Sequence, residues 1–389
     1  MRRLYDPSEH DVSPAIPVCP LFGACGGCDR QQVPYDEQVT EKHLRLAALL
    51  GREPAAVAVH AGAPYGYRNR MDFVCHPEGL GFMARGTWKR VIDVPHCPIS
   101  NDGVNRLLAE VRAFIREQDT FDPLRRHGTF KYAVIRAATL RTAVTFILNA
   151  ESPGRAAAEA AVRGFAAGCS ADNVLCGVVA RGTPASVTAD YAVVKGDDRL
   201  IETVADRPFR YPVQGFFQTN TVMARRLVGQ VVEWLAPGGA ALLDLYGGVG
   251  TFGITAAGRF AAVRIVELDG PAVTCAAENI AAAGLTHVAP VAAKSRLIHM
   301  LGLENPDLHA VTDPPRSGMC PRTLTRLIAL RPVTINYVSC NPEQLARELP
   351  AFHAAGYAVT EAAIFDLFPQ TPHCEVAVRL ARTDAAEPQ

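Results

Sequence analysis

The chain has 389 residues, 49% of them apolar, with 39 basic and 39 acidic side chains and no net charge. That length exceeds one ordinary core and implies two or three domains, while no run of about 18 apolar residues offers a membrane span. No apolar signal core follows the basic start, and the 11 cysteines form no even disulfide set, so a cytoplasmic protein with thiol chemistry or a metal site is expected.

Residues 1–35 are rich in Pro, Gly and Cys. Within them "CPLFGACGGC" sets Cys19, Cys25 and Cys28 in a C-x5-C-x2-C run with no histidine nearby. Zinc ribbons carry two C-x2-C pairs, which this stretch lacks. Three close thiolates and a distant fourth suit a [4Fe–4S] cluster, with a zinc knuckle or plain loop cysteines as the alternatives. Cys97 in "VPHCPIS" and Cys75 are the candidates for the fourth ligand.

"YDEQVTEKHLRLAALLG" reads as a helix ending at Gly51, and residues 71–97 as short strands with glycine turns. "GVNRLLAEVRAFIREQ" is an amphipathic helix by its 3.6 spacing, and "FKYAVIRAA" and "TAVTFILNA" are paired strands. The helix "GRAAAEAAVRGFAAG", the strand "VLCGVVA" and strands turned at Gly196-Asp197-Asp198 complete an α+β domain over 36–211. Two basic stretches lie in it: Arg68, Arg70, Arg85, Lys89 and Arg90, then Arg125, Arg126, Lys131, Arg136 and Arg141 around Phe130 and Tyr132. They fit either an RNA path or solvated sheet faces.

From residue 212 to 382 strand and helix alternate: "ALLDLY", "AVRIVELD", "LHAVTDPP" and "VTINYVS" each precede a helix, and two further strands follow around "AAIFDLF" and "CEVAVRL". This rhythm predicts a doubly wound, mostly parallel α/β sheet with its ligand at the strand carboxyl ends. Residues 383–389 read as a disordered tail.

"LLDLYGGVGTFG" places Gly248, Gly250 and Gly253 in a G-x-G-x-x-G pattern between strand and helix, which a nicotinamide dehydrogenase would also carry. Asp244 at the strand end would repel a pyrophosphate. It suits S-adenosylmethionine, which bears an ammonium and a sulfonium. Glu267 ends the next strand, where a carboxylate can accept from ribose hydroxyls of either cofactor.

"TDPPRSG" and "YVSCNP" put Asp313 and Cys340 at the ends of neighbouring strands, and the two prolines hold Asp313 and Arg316 toward the crevice. A single cysteine is most often a small buried hydrophobe. At a strand mouth beside Asn341-Pro342 it is presented instead. Carbon C5 of uracil is too weak a nucleophile to take a methyl group. A thiolate at C6 makes C5 an enolate carbon, and a base must then remove the C5 proton. Glu375, with His373 two residues earlier on the same face of a strand, offers that base.

"GFFQTN", "LLDLYGGVGTFG", "RIVELD", "TDPPRSG", "YVSCNP" and "FDLFPQTPHCE" stand in the order and spacing of the RNA 5-methyluridine methyltransferases, and the chain resembles that family over most of residues 19–380. The resemblance implies a class I methyltransferase domain with Cys340 as nucleophile and Glu375 as proton acceptor. It implies Gln218, Tyr246, Gly248, Gly250, Thr251, Glu267 and Asp313 as the S-adenosylmethionine site. Phe216, Phe217, Gln218 and Arg316 would meet an extruded uracil. Members with a cluster have a Cys-Pro where Cys97 stands, which implies Cys19, Cys25, Cys28 and Cys97 as its ligands. Where the family offers an Asp or Asn toward the adenine, this chain reads "VAPVAAKSRL", and Thr251 stands where some relatives carry Asn. Only 18 residues precede Cys19, too few for the amino-terminal barrel of some relatives. The shape resembles the shorter large-subunit ribosomal RNA enzymes, with transfer RNA as the alternative substrate. A monomer is expected. The competing readings are a non-catalytic RNA-binding iron–sulfur protein and a nicotinamide-dependent dehydrogenase.

Overall fold

The computed structural model describes residues 15–235, 238–303 and 307–383. The expectations for residues 1–14 and for a tail from 384 lie outside the described residues. Thr383 is tied down, its backbone N–H and its hydroxyl both donating to the Gly356 carbonyl at 2.8 and 2.9 Å.

The chain opens with α1 (Tyr35–Leu50), closed by Gly51 in the left-handed conformation, and β1 (Ala58–His60). Then follow β2 (Arg70–His76), β3 (Gly79–Met83), β4 (Val91–Asp93), α2 (Asp102–Ile115), β5 (Phe130–Ala137), β6 (Thr142–Asn149), α3 (Arg155–Gly168), β7 (Asn173–Val179) and β8 (Tyr191–Lys195). These seven strands form one sheet in the order β4-β3-β2-β5-β6-β7-β8. The apolar face of α2 (Val104, Leu107, Leu108, Val111) is buried in the same core as Phe73, Phe130 and Phe146. A hairpin of β9 (Arg199–Val204) and β10 (Arg207–Pro212) leads out of this unit.

The rest is the expected alternation: α4 (Thr221–Glu233), β11 (Gly239–Leu245), α5 (Thr251–Ala256), β12 (Phe260–Glu267), α6 (Gly270–Ala282), β13 (Val288–Ala292), β14 (Leu308–Thr312), α7 (Pro321–Ala329), β15 (Thr334–Ser339), α8 (Pro342–Ala354), β16 (Tyr357–Phe365) and β17 (Glu375–Arg382). The sheet order is β1-β16-β17-β15-β14-β11-β12-β13. β17 runs antiparallel to both neighbours, and the other pairs are parallel. The order reverses between β11 and β14, and such a switch point opens a crevice at the strand carboxyl ends.

One boundary differs from the expectation. Residues 36–60, assigned to the central α+β unit, belong with the carboxyl-terminal sheet. β1 extends it by pairing in parallel with β16, Ala58 to Ala363 through His60 to Phe365. The α1 residues Leu46 and Ala47 share a core with Tyr337, Leu345 and Phe352. A buried Lys42–Asp366 ion pair of 2.8 Å fastens the helix to the far end of the chain.

Candidate active site

A cleft of about 940 Å³ lies over the switch point. Its walls include Gln218, Tyr246, Gly248, Glu267, Asp313, Arg316, Cys340 and Glu375, residues from six separate parts of the sequence.

The strand register builds the reactive end. β15 and β17 are antiparallel, and their last paired residues are Ser339 and Val376. One step further, Cys340 comes opposite Glu375, and directly opposed residues share a face. The Asn341-Pro342 pair then stops the strand. The Asn341 side chain caps α8 by accepting from the Gln344 N–H at 3.3 Å and donates to the Arg316 carbonyl at 3.0 Å. The Ser339 hydroxyl bonds the backbone N–H and carbonyl of Asn341, each at 3.0 Å. Cys340 is thus half-buried on the cleft wall, pinned on both sides.

Too many anionic groups meet here. Burial pushes the Cys340 thiol up to about 11, and the charges of Glu375 and Asp313 push the same way, while Arg316 opposes them. Glu375 is 2% exposed. Its enclosure, and then Asp313, hold its carboxyl well above the usual range. Asp313 is raised by burial and by Asp244. Asp244 is raised to about 7 by burial, with Glu267 adding and the Gly253 N–H opposing. A row of acids therefore runs under the cleft toward the thiol, and a positively charged occupant would relieve it.

The glycine loop is shaped by contact. Gly250 has φ 89°, and a Cβ there would stand 2.7 Å from Ile254 Cδ1. A Cβ on Gly253 would stand 2.8 Å from Ile265 Cγ1 and 2.9 Å from Asp244 Oδ2, so α5 lies directly on the sheet. Tyr246, at the mouth of β11, is held at φ 62°, a conformation costly for a residue with a Cβ. Burial raises its hydroxyl, which Ser295 and Thr323 hydrogen-bond. Glu267 accepts from the N–H groups of Gly248 (3.0 Å), Leu268 (2.6 Å) and Asp269 (2.8 Å), which fixes a carboxylate on the cleft wall.

Several expected residues sit differently. Asp244 is 1% exposed and does not line the cleft; its carboxylate accepts the Gly253 N–H at 2.7 Å and supports the loop from beneath. Gly250 is absent from the cleft wall, and Thr251 lines a side cavity of about 60 Å³ beside Gln218 and Asp313. Phe217 is core, stacked on Tyr211 with centroids 4.4 Å apart, whereas Phe216 is 71% exposed on the cleft rim. His373 precedes β17 and is exposed away from the cleft, because the strand begins only at Glu375. From the stretch "VAPVAAKSRL" itself, Ala293, Lys294, Ser295 and Arg296 line the cleft. Sequence reasoning did not single out Phe368 or Thr219, which also line the cleft. Both lie in quoted motifs, and only the fold brings them to the cleft with Cys340.

Much of the expected basic path is structural. Lys131 Nζ donates to the Ala180, Arg181 and Thr183 carbonyls at 2.8–3.0 Å, and Arg136 is buried and bonds the Gly215 carbonyl. Arg70 pairs with Asp72 and Arg141 with Asp197. Arg68 remains on the cleft wall.

A second cavity of about 540 Å³ adjoins the first, with Arg68, Phe216 and Thr219 shared between them. Cys19, Cys25, Cys28 and Cys97 all line it. Burial and the other thiols raise Cys25, Cys28 and Cys97. Cys75 does not line this cavity; it is fully buried on β2. Among the described residues no group of three or more His, Cys, Asp or Glu is arranged to hold a metal ion.

Comparison with known proteins agrees with this architecture. The family model described as tRNA (Uracil-5-)-methyltransferase matches residues 34–383. The tRNA (uracil(54)-C(5))-methyltransferase of Pyrococcus abyssi is 30% identical over 368 residues, covering 94% of this chain and 85% of that protein. The 23S rRNA (uracil(1939)-C(5))-methyltransferase of Salmonella paratyphi A is 30% identical over 389 residues, covering 98% and 84%. A crystal structure of the Pyrococcus abyssi enzyme in complex with S-adenosyl-L-homocysteine superposes with a TM-score of 0.77 at 28% identity, covering 92% of this chain and 86% of that one. With its strand order, its glycine loop and its opposed thiol and carboxylate, the chain belongs to the tRNA (uracil-5-)-methyltransferase family.

Proposed function

We propose that this protein transfers a methyl group from S-adenosylmethionine to carbon C5 of a uridine in RNA. The observation that carries the reading is the opposition of Cys340 and Glu375 across β15 and β17, at the end of a cleft that also presents Asp313 and Glu267. Cys340 adds to C6 of the uracil, with Arg316 and the residue's own backbone N–H favouring the thiolate. C5, now an enolate carbon, takes the methyl that the sulfonium supplies, and S-adenosylhomocysteine is left. Glu375 accepts the C5 proton, the C6–S bond breaks and the C5–C6 double bond returns. Burial, and then Asp313, hold the Glu375 carboxyl up; a cation beside Asp313 offsets the second of these, so donor binding favours the basic form. Gln218, Tyr246, Gly248, Glu267 and Asp313 are the proposed donor site; Phe216 and Arg316, on the rim, are the proposed uracil contacts. Phe217 anchors this stretch in the core by stacking on Tyr211, and Gly250 and Thr251 shape the loop.

Cys19, Cys25, Cys28 and Cys97 are the proposed ligands of a [4Fe–4S] cluster. Four thiols on one cavity with no carboxylate on its wall but Asp72, itself paired to Arg70, are a donor set that suits iron–sulfur ligation. A cluster there would cross-link the amino-terminal segment to Cys97. Protein purified without oxygen is expected to be brown and Cys25→Ser colourless; colourless wild-type protein with stoichiometric zinc overturns this ligand assignment.

No helix among the described residues is long and apolar enough to cross a membrane. The proposed site is complete within this one chain, so the reaction needs no second copy, and we propose a monomer acting on RNA in the cytoplasm. Relatives at the same identity act, by their names, on transfer RNA and on 23S ribosomal RNA, so the likeness assigns the base and leaves the RNA to experiment. Incubation of both RNAs with S-adenosylmethionine, followed by nucleoside mass spectrometry, should yield 5-methyluridine from one of them. No 5-methyluridine from either contradicts the proposal.

A further inference from the structure

Glu375 is the first residue of β17, and the loop that delivers it, residues 366–374, joins β16 to β17. A hairpin loop this long is ordinarily loose. Here the amino-terminal segment grips it at successive positions. Lys42 Nζ donates to Asp366 Oδ1 at 2.8 Å and to the Phe368 carbonyl at 3.3 Å. The Tyr67 hydroxyl donates to the Pro369 carbonyl at 2.9 Å. The Gln370 carbonyl accepts from the N–H groups of Asp29 (2.9 Å) and Arg30 (3.1 Å).

Gln38 on α1 closes the grip. It is 1% exposed, and Gln370 is 2% exposed. The Gln38 Nε2 donates to Gln370 Oε1 at 3.0 Å, and its Oε1 accepts the Gln370 backbone N–H at 3.1 Å. The same Nε2 donates to the Arg30 and Val33 carbonyls at 2.9 and 2.8 Å. Gln370 is held at φ 68°, a left-handed conformation that non-glycine residues keep only where surrounding bonds enforce it. The two bonds to Gln370 join helix and loop across more than 300 residues of sequence, and the two to Arg30 and Val33 tie Gln38 to the segment whose N–H groups hold the Gln370 carbonyl. On one side of Gln370 the loop places Phe368 in the cleft, and on the other it places Glu375 there.

We propose that Gln38 is a positioning residue for the proton-abstraction step: through Gln370 it sets the Glu375 carboxylate against C5, without touching substrate or donor. This rests on the proposed roles of Cys340 and Glu375. The expected signature is specific to that step. When the base is misplaced, addition and methyl transfer still occur, but the C5 proton leaves slowly and the enzyme–RNA bond persists.

The test compares wild type and Gln38→Ala on unmodified substrate RNA with S-adenosylmethionine, reading three quantities: turnover, donor affinity by calorimetry, and RNA that stays attached on a denaturing gel. Gln38→Ala should turn over about tenfold more slowly and accumulate about tenfold more attached RNA, as a weakened general base requires, with donor affinity within about twofold of wild type. Gln38→Glu, whose carboxylic acid can keep part of the contact, should recover turnover as pH falls. Slower turnover without attached RNA, or loss of donor affinity in step with turnover, would reduce Gln38 to a folding residue and overturn the proposal. If Gln38→Ala does not fold, Gln370→Gly, which tolerates the backbone conformation and removes the side-chain bond, must show the same accumulation. A separate control on 5-fluorouridine RNA divides the two claims: wild type that never forms an attached species overturns the covalent reading itself, whereas wild type that traps while Gln38→Ala accumulates nothing on unmodified RNA overturns only the role of Gln38.

Discussion

Two adjoining cavities in this protein are walled by cysteine sulfur, and what surrounds the sulfur separates them. In the amino-terminal cavity the thiols of Cys25, Cys28 and Cys97 are each raised by other thiols, with Asp72, Arg68, Arg70 and His96 on the same wall. In the cleft the thiol of Cys340 faces carboxylates, Glu375 and Asp313, with the Arg316 guanidinium against them, while the other cleft thiol, Cys320, bonds the Thr323 hydroxyl at 3.1 Å. Burial raises the thiols in both places, so burial alone says nothing about use. Thiols that meet thiols invite a metal-bearing group that ionises them together. A thiol that meets a carboxylate can add to a substrate placed between them while the carboxylate takes the substrate's proton.

The comparison breaks most sharply at Glu375. Glu375→Gln keeps the shape and removes the acceptor, and should lower turnover about 10²–10⁴-fold while the enzyme–RNA adduct accumulates. If the loss is there but no adduct forms, Glu375 acts before the thiol and not after it. Smaller, and shared by the two cavities, is Phe216, which lies on both walls. Phe216→Ala should weaken RNA binding by about 1–3 kcal/mol, the worth of one base–aromatic stack, and leave donor affinity unchanged. Equal loss of both affinities would make Phe216 part of the donor pocket.

The smallest effect is a pH dependence. Asp313, raised on the cleft wall, and Asp244, raised to about 7 beneath the glycine loop, bind protons that a cationic donor displaces. The donor favours the ionised acids, so its affinity should climb as pH rises toward 7, by up to about tenfold per unit for one proton released, and level off above. The same two groups bind protons more tightly folded than unfolded, so the ligand-free protein loses stability as pH rises through about 7. Flat affinity from pH 5 to pH 8 by calorimetry, in units where about one proton should be released, would remove the acid row from donor binding.

The proposed catalytic pieces were readable because residues at the strand carboxyl ends of a doubly wound sheet border one crevice, whatever lies between them in sequence. Cys340, Asp313, Glu267 and Gly248 needed no more than that rule. What escaped the sequence depended on partners far along the chain. β1 is three residues long and has no signal of its own; it is a strand because Ala363–Phe365 lies beside it. Phe216 and Phe217 look alike in the sequence, and only Tyr211 decides which one turns inward. The charge of Lys131 and Arg136 was plain, but not the carbonyls that consume it. Asp244 was rightly placed at the strand end, yet the close approach of α5 at Gly253 puts the loop between it and the cleft.

RNA carrying 5-fluorouridine at the target position tests the central claim most directly, since fluorine cannot leave as a proton does. With S-adenosylmethionine present, wild-type protein should remain bound to this RNA through denaturing electrophoresis, and mass spectrometry should locate the bond at Cys340, with none in Cys340→Ala. Wild-type protein that methylates ordinary RNA yet forms no such bond would contradict the account.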